Sequence, residues 1–155
     1  MTKPAFCLEN DESRAELNDL AKSLDAASLA CPVGEKLTVA TSLCHLAFWD
    51  QRAINQLRRW QRTGEVNALG LDSNTVDSIN DALNVIAAEV PGEAVVALAV
   101  KSAAEVDALI EGLDQAMIDS IGQAGLERYL RRSIHRREHL RSIRSALDAR
   151  RANPA

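Results

Sequence analysis

Apolar positions recur along most of this chain at the three-and-four spacing of a helix that buries one face. Leu17, Leu20, Ala21, Leu24 and Ala27 follow Asn10 at that spacing and predict a first helix over 11–27, with Asn10 as its cap. Residues 30–36 contain Pro32 and Gly34 and read as a loop. Thr38 then opens a second long helix that reaches about residue 62, where Thr63-Gly64 closes it. After a loop through Gly70, Asn74 and Asp77 form a capping pair for a shorter helix ending at Pro91-Gly92. From Glu93 onward Val96, Ala99, Ala103, Val106, Leu109, Ile110, Leu113 and Met117 give a third long helix. A break at 122–125 introduces the fourth, which runs to about residue 151. Strand-like alternation is absent, and neither an internal repeat nor a linker interrupts the pattern. The expected fold is all-α: a four-helix bundle with one extra short helix before the third long helix, in a single domain over 1–155.

Composition sharpens this picture in three places. A chain of 155 residues can bury a core without help, so a metal here would serve chemistry and not folding. The longest apolar run, Ala94 to Val100, is far short of the roughly 20 residues of a membrane span, and the N-terminus lacks a basic-then-apolar leader. A cytoplasmic protein with no membrane partner is expected. Cys7, Cys31 and Cys44 are odd in number and without metal spacing, which fits small apolar residues better than a disulfide framework. A formal net charge of −4 argues against general nucleic-acid binding, although residues 128–151 are locally rich in arginine and read mostly as a solvated helix face.

All three histidines fall on the second and fourth long helices. His135 and His139 lie four residues apart, so on a helix they project from one face roughly 40° apart. Two imidazoles one turn apart can chelate a single ion, and His45 from a neighbouring helix would complete a three-nitrogen set with a fourth position open for water or substrate. Both histidines of the pair border the apolar arc formed by Leu140, Ile143, Ala146 and Leu147, and His45 borders the arc of Leu46, Ala53, Leu57 and Trp60. Three histidines that serve packing alone remain the alternative. The string from His135 to His139 also spells H-x-x-E-H, the mark of inverted zincin peptidases. Those enzymes need a carboxylate ligand well downstream, where this sequence has none, and Glu138 falls on the outer side of the stripe.

Asp50 lies on the apolar arc of the second helix, and Arg132 and Arg136 lie on that of the fourth. A carboxylate so placed needs a partner, and an Asp50–arginine ion pair that sets helix register is expected. In the functional alternative Asp50 orients a ligand histidine, or Arg132 clamps a carboxylate of a bound molecule. Trp49, one turn from His45, would then wall the pocket.

The string Leu37-Thr38-Val39-Ala40 leading into Cys44-His45-Leu46-Ala47-Phe48-Trp49-Asp50, with His135-x3-His139-Leu140-x2-Ile143 on the last helix, resembles the DinB/YfiT-like metalloprotein superfamily. Thr75-Val76-Asp77-Ser78-Ile79-Asn80 resembles the short helix many members carry before their third long helix. The resemblance implies an up-down-down-up bundle with nickel or zinc held by one histidine of the second helix and an H-x3-H pair of the last. His45, His135 and His139 match those positions. It further implies thiol chemistry, since better understood members include mycothiol-dependent maleylpyruvate isomerase and transferases of bacillithiol or glutathione-like thiols.

The resulting expectation is a metal-dependent enzyme that transfers or adds a small-molecule thiol to an electrophilic substrate. Its metal ligands are His45, His135 and His139, and Arg132 and Trp49 contact the thiol cofactor, which is mycothiol, bacillithiol or glutathione. A homodimer is left open. A hydrolase using bound hydroxide and a non-catalytic metal-binding protein are the alternatives.

Overall fold

Cap and breaker residues set the helix limits in a computed structural model, which describes residues 4–68 and 70–153. The order is α1 (Ala5–Ser23), α2 (Ala26–Leu29), β1 (Pro32–Val33), β2 (Leu37–Thr38), α3 (Val39–Thr63), α4 (Ser73–Ala87), α5 (Gly92–Glu111), α6 (Gln115–Gln123), a 3-10 turn (Glu127–Tyr129) and α7 (Arg132–Ala152). The strongest local signals act as expected. The Thr38 hydroxyl accepts from the Thr41 backbone N–H at 3.2 Å while the Thr41 hydroxyl accepts from the Thr38 N–H at 2.8 Å, a closed capping box. Gly64, in the left-handed region at φ 71°, ends α3 at no steric cost.

The first helix ends at Ser23, short of residue 27, with a separate turn of helix at Ala26–Leu29, and the last begins at Arg132 behind the 3-10 turn and not directly after 122–125. Four further departures from the sequence expectation each have a physical reason. α1 starts at Ala5 behind Pro4, so Asn10 lies inside the helix and is buried. Asn10 caps another helix: its amide nitrogen donates to the Leu130 carbonyl at 2.8 Å and its oxygen accepts from the Ser133 N–H of α7 at 2.8 Å. The loop at 30–36 contains a two-residue antiparallel ladder pairing Pro32 with Thr38 and Val33 with Leu37. Asp72, not Asn74, caps α4 by accepting from the Thr75 N–H at 2.7 Å. Finally, the apolar period that runs on to Met117 spans two helices, because α5 stops at Gly112 and Asp114 caps α6 through the Met117 N–H at 2.8 Å.

Side-chain pairs give the direction of each long helix. Ser133 and Arg144 of α7 meet Asn10 and Glu16 of α1 in the same order, so these two run parallel. Arg132 meets Asp50 and His135 meets His45, so α3 runs against α7. Ser102 and Glu105 meet Gln51 and Arg58, so α5 runs with α3. The layout is up-down-down-up, with α1 and α3 each packed on both α5 and α7.

The core has two apolar halves. Leu17, Leu43, Val95 and Leu140 belong to one, and Ile54, Trp60, Ile110 and Ile121 to the other. Between them, along every long helix, stand buried polar residues: Asn10 and Ser13, Asp50, Asp107, Arg132 and Arg136. Arg136, only 1% exposed, forks onto Asp107 with two 3.1 Å hydrogen bonds, donates to Ser13 Oγ at 2.8 Å and to the Asn10 carbonyl at 3.0 Å, and lies 3.6 Å from Asp50. Burial pushes the Asp107 carboxyl up, and Arg136 opposes that.

Truncating Arg136 removes the forked partner of buried Asp107, leaving it only Arg14, and takes away the second arginine beside Asp50, which keeps Arg132. Arg136→Ala is expected to cost about 3–5 kcal/mol of unfolding free energy. Arg144→Ala, which breaks only a half-exposed pair with Glu16, is expected to cost less than about 1 kcal/mol. Urea denaturation of both variants checks this, and equal losses would remove the ionic layer from the account of the fold.

Candidate metal centre

His45 stands near the start of α3, one turn before Trp49, and His135 and His139 occupy the first two turns of α7. Because the two helices run antiparallel, the α7 pair faces the single α3 residue. The Nε2 atoms of His45 and His135 are 3.2 Å apart, and one ligand nitrogen from each of the three rings lies within 4.8 Å of the others. Ring centroids are separated by 4.5 Å for His45 and His139, 4.8 Å for His135 and His139, and 5.3 Å for His45 and His135.

The rings are neutral near pH 7. Burial pushes His45 down to about 4, helped by repulsion from His139. His135 falls to about 2, first through burial and then through the Arg132 guanidinium and the other two rings. Burial also lowers His139. Neutral imidazoles keep the lone pairs a metal requires. Nitrogens bound to one ion at about 2.0–2.1 Å in a tetrahedral set stand about 3.3 Å apart, close to the His45–His135 separation. The donor set therefore fits a divalent ion, and the three-histidine group could hold one.

These rings form the floor of a cleft of about 540 Å³. Trp49 walls one side, where its indole N–H donates to Asn80 Oδ1 of α4 at 3.0 Å. Arg132 lines the cleft and is anchored by Nε donating to Asp50 Oδ1 at 2.8 Å, which is the expected ion pair with the last helix. Asp50 bonds to arginine and makes no hydrogen bond to a ligand histidine. Glu138 is exposed, as its place on the wheel predicts, yet it borders the same cleft. Cys44 does not line it, and burial pushes its thiol up. Arg52, Arg128, Arg131 and Tyr129 also border the cleft and were not legible as site residues, because the arginine-rich stretch reads as a solvated face and no local period marks a cleft.

The low histidine pKa values set a pH dependence for metal-free protein. Unfolded histidines take up protons as pH falls through about 6.5, while folded His45 resists until about 4. Between those values the unfolded state binds more protons, so stability is complete above about 6.5 and declines as pH falls, by about 1.4 kcal/mol per pH unit for each such histidine. Chelator-stripped protein should show this decline in denaturation midpoints between pH 6.5 and 4, and His45→Gln should make it shallower by one histidine's share, since His135 and His139 remain. A slope unchanged in that variant would contradict the burial of His45.

Searches of curated proteins and of solved structures each found no match. The family model described as the DinB superfamily matches residues 9–148. That span runs from the first long helix to the last and includes all three histidines, so the chain belongs to the DinB superfamily.

Proposed function

We propose that this chain is a metal-dependent enzyme that joins a small-molecule thiol to an electrophilic substrate, with nickel or zinc held by His45, His135 and His139. One observation carries the reading: three neutral imidazoles converge on the floor of a cleft whose described lining includes no cysteine, serine, threonine or lysine. A cleft lined by no thiol, aliphatic hydroxyl or amine favours a nucleophile that arrives with the ligand. A divalent ion bound there lowers the pKa of a coordinated thiol and raises the nucleophilic fraction. The resemblance to thiol-dependent members supports mycothiol, bacillithiol or glutathione as that ligand.

The chain's own residues would do the rest. Trp49, held by Asn80, offers an apolar wall that displaces water from one side of the ligand. Arg132, fixed through Asp50, presents a positive charge beside His135 and contacts the thiol cofactor. Glu138 at the solvent edge can accept the proton released as the thiol ionises.

Elemental analysis should find one divalent ion per chain, lost in His139→Ala; stoichiometric metal in the His45→Ala, His139→Ala double variant would reject the site. Thiol consumption with an electrophile should require metal, fall by at least about a hundredfold in His139→Ala, and survive Cys44→Ser. Turnover of esters or amides with no thiol consumed would put the hydrolase in its place.

A further inference from the structure

The rim of the histidine cleft carries positive charge that the protein does not neutralise. Arg52, Arg128 and Arg131 border it, and none has a carboxylate within ion-pair distance among the described residues. Arg52 lies over the Trp49 ring at 5.5 Å and donates to the Tyr129 hydroxyl at 2.9 Å. Arg128 lies over the Tyr129 ring at 5.4 Å. Stacking on aromatic faces holds these guanidiniums while most of their N–H groups keep no protein acceptor.

Arg132 adds a second, independent observation. The residue is only 8% exposed, its Nε serves Asp50 and its Nη1 serves the Arg128 carbonyl, yet its Nη2 is buried without any hydrogen-bond partner. A buried charged donor left unsatisfied is costly unless an acceptor arrives with a ligand. Arg131 and Arg132 also occupy the N-cap and first position of α7. That end of a helix already carries about half a positive charge, and acids are favoured there. α7 has no acid in its first turn and no side-chain cap from Arg131. The one carboxylate among the lining residues is Glu138, in a chain whose formal net charge is −4. The cleft therefore carries local positive charge on a chain that is acidic as a whole.

We infer that the ligand of this cleft is a small anion bearing at least one carboxylate, received by Arg128, Arg131 and the free Nη2 of Arg132, with its other end at the three histidines. The inference rests on the reading of this cleft as the substrate site and narrows it to acidic ligands. A volume of about 540 Å³ suits a small molecule and not a nucleic-acid helix.

Calorimetric titration of the zinc-loaded full chain tests it with three probes. Glutathione carries a thiol and two carboxylates, S-methylglutathione keeps the carboxylates and blocks the sulfur, and cysteamine keeps the thiol without a carboxylate. Glutathione should bind at least about tenfold more tightly than cysteamine, and Arg128→Gln or Arg131→Gln should each weaken it about tenfold and leave cysteamine unchanged. Both arginines are exposed, so unchanged thermal melting of the variants confirms their folding. Equal binding of glutathione and S-methylglutathione, both arginine-dependent, upholds the acidic ligand and rejects the thiol. Equal binding of cysteamine and glutathione, indifferent to the arginines, upholds the thiol and overturns the acidic ligand. Binding of neither carboxylate probe overturns it as well.

Discussion

The guanidinium of Arg136 touches all four long helices. It forks onto Asp107 of α5, bonds Asn10 and Ser13 of α1, approaches Asp50 of α3, and belongs to α7 itself. An apolar core tolerates small slips of one helix along another, because dispersion contacts re-form after the slip. A forked charge pair does not, since a shift of one turn leaves a buried carboxylate without its cation. The register of the bundle therefore rests on this layer more than on the two apolar clusters it divides.

The metal centre inherits that register. His135 directly precedes Arg136, and His45 lies five residues before Asp50, so the contacts that lock the ionic layer also lock both helices that carry the rings. Arg132, one turn before Arg136, is bound by the same Asp50. Its charge helps hold His135 in the neutral form that can donate a lone pair. One polar stratum thus aligns the histidines and sets the field at the floor of the cleft, while burial first, and Arg132 second at His135, keeps the rings unprotonated.

Function and stability pull apart at the start of α7. Arginines at the N-cap and first position oppose the helix dipole and supply no cap. Asn10 repairs part of the loss from α1 by accepting the Ser133 N–H and donating to Leu130, which ties the first helix to the last beside the cleft. The cleft keeps its positive charge, and the helix end keeps a satisfied backbone. α4 completes the wall through Asn80 and Trp49, with nearly all of its own surface at least partly exposed.

Whatever depends on residues a few positions apart was legible in the sequence: the Thr38 and Gly64 limits of α3, the shared face of His135 and His139, and the burial of Asp50 among apolar neighbours. Helical period and capping chemistry act over one turn, so a linear reading reaches them. The membership of His45 in the same cluster was legible as a pattern of family motifs, while its 3.2 Å approach to His135 was not. Tertiary structure alone decided that Asn10 caps a helix 123 positions away from it, that Asp50 chooses Arg132 as its nearest partner, and that Arg52, Arg128 and Arg131 border a cleft instead of open solvent. The reason is geometric: a side chain's partner across a bundle is set by helix direction and register, and those emerge only when buried polar groups on all four helices meet one another.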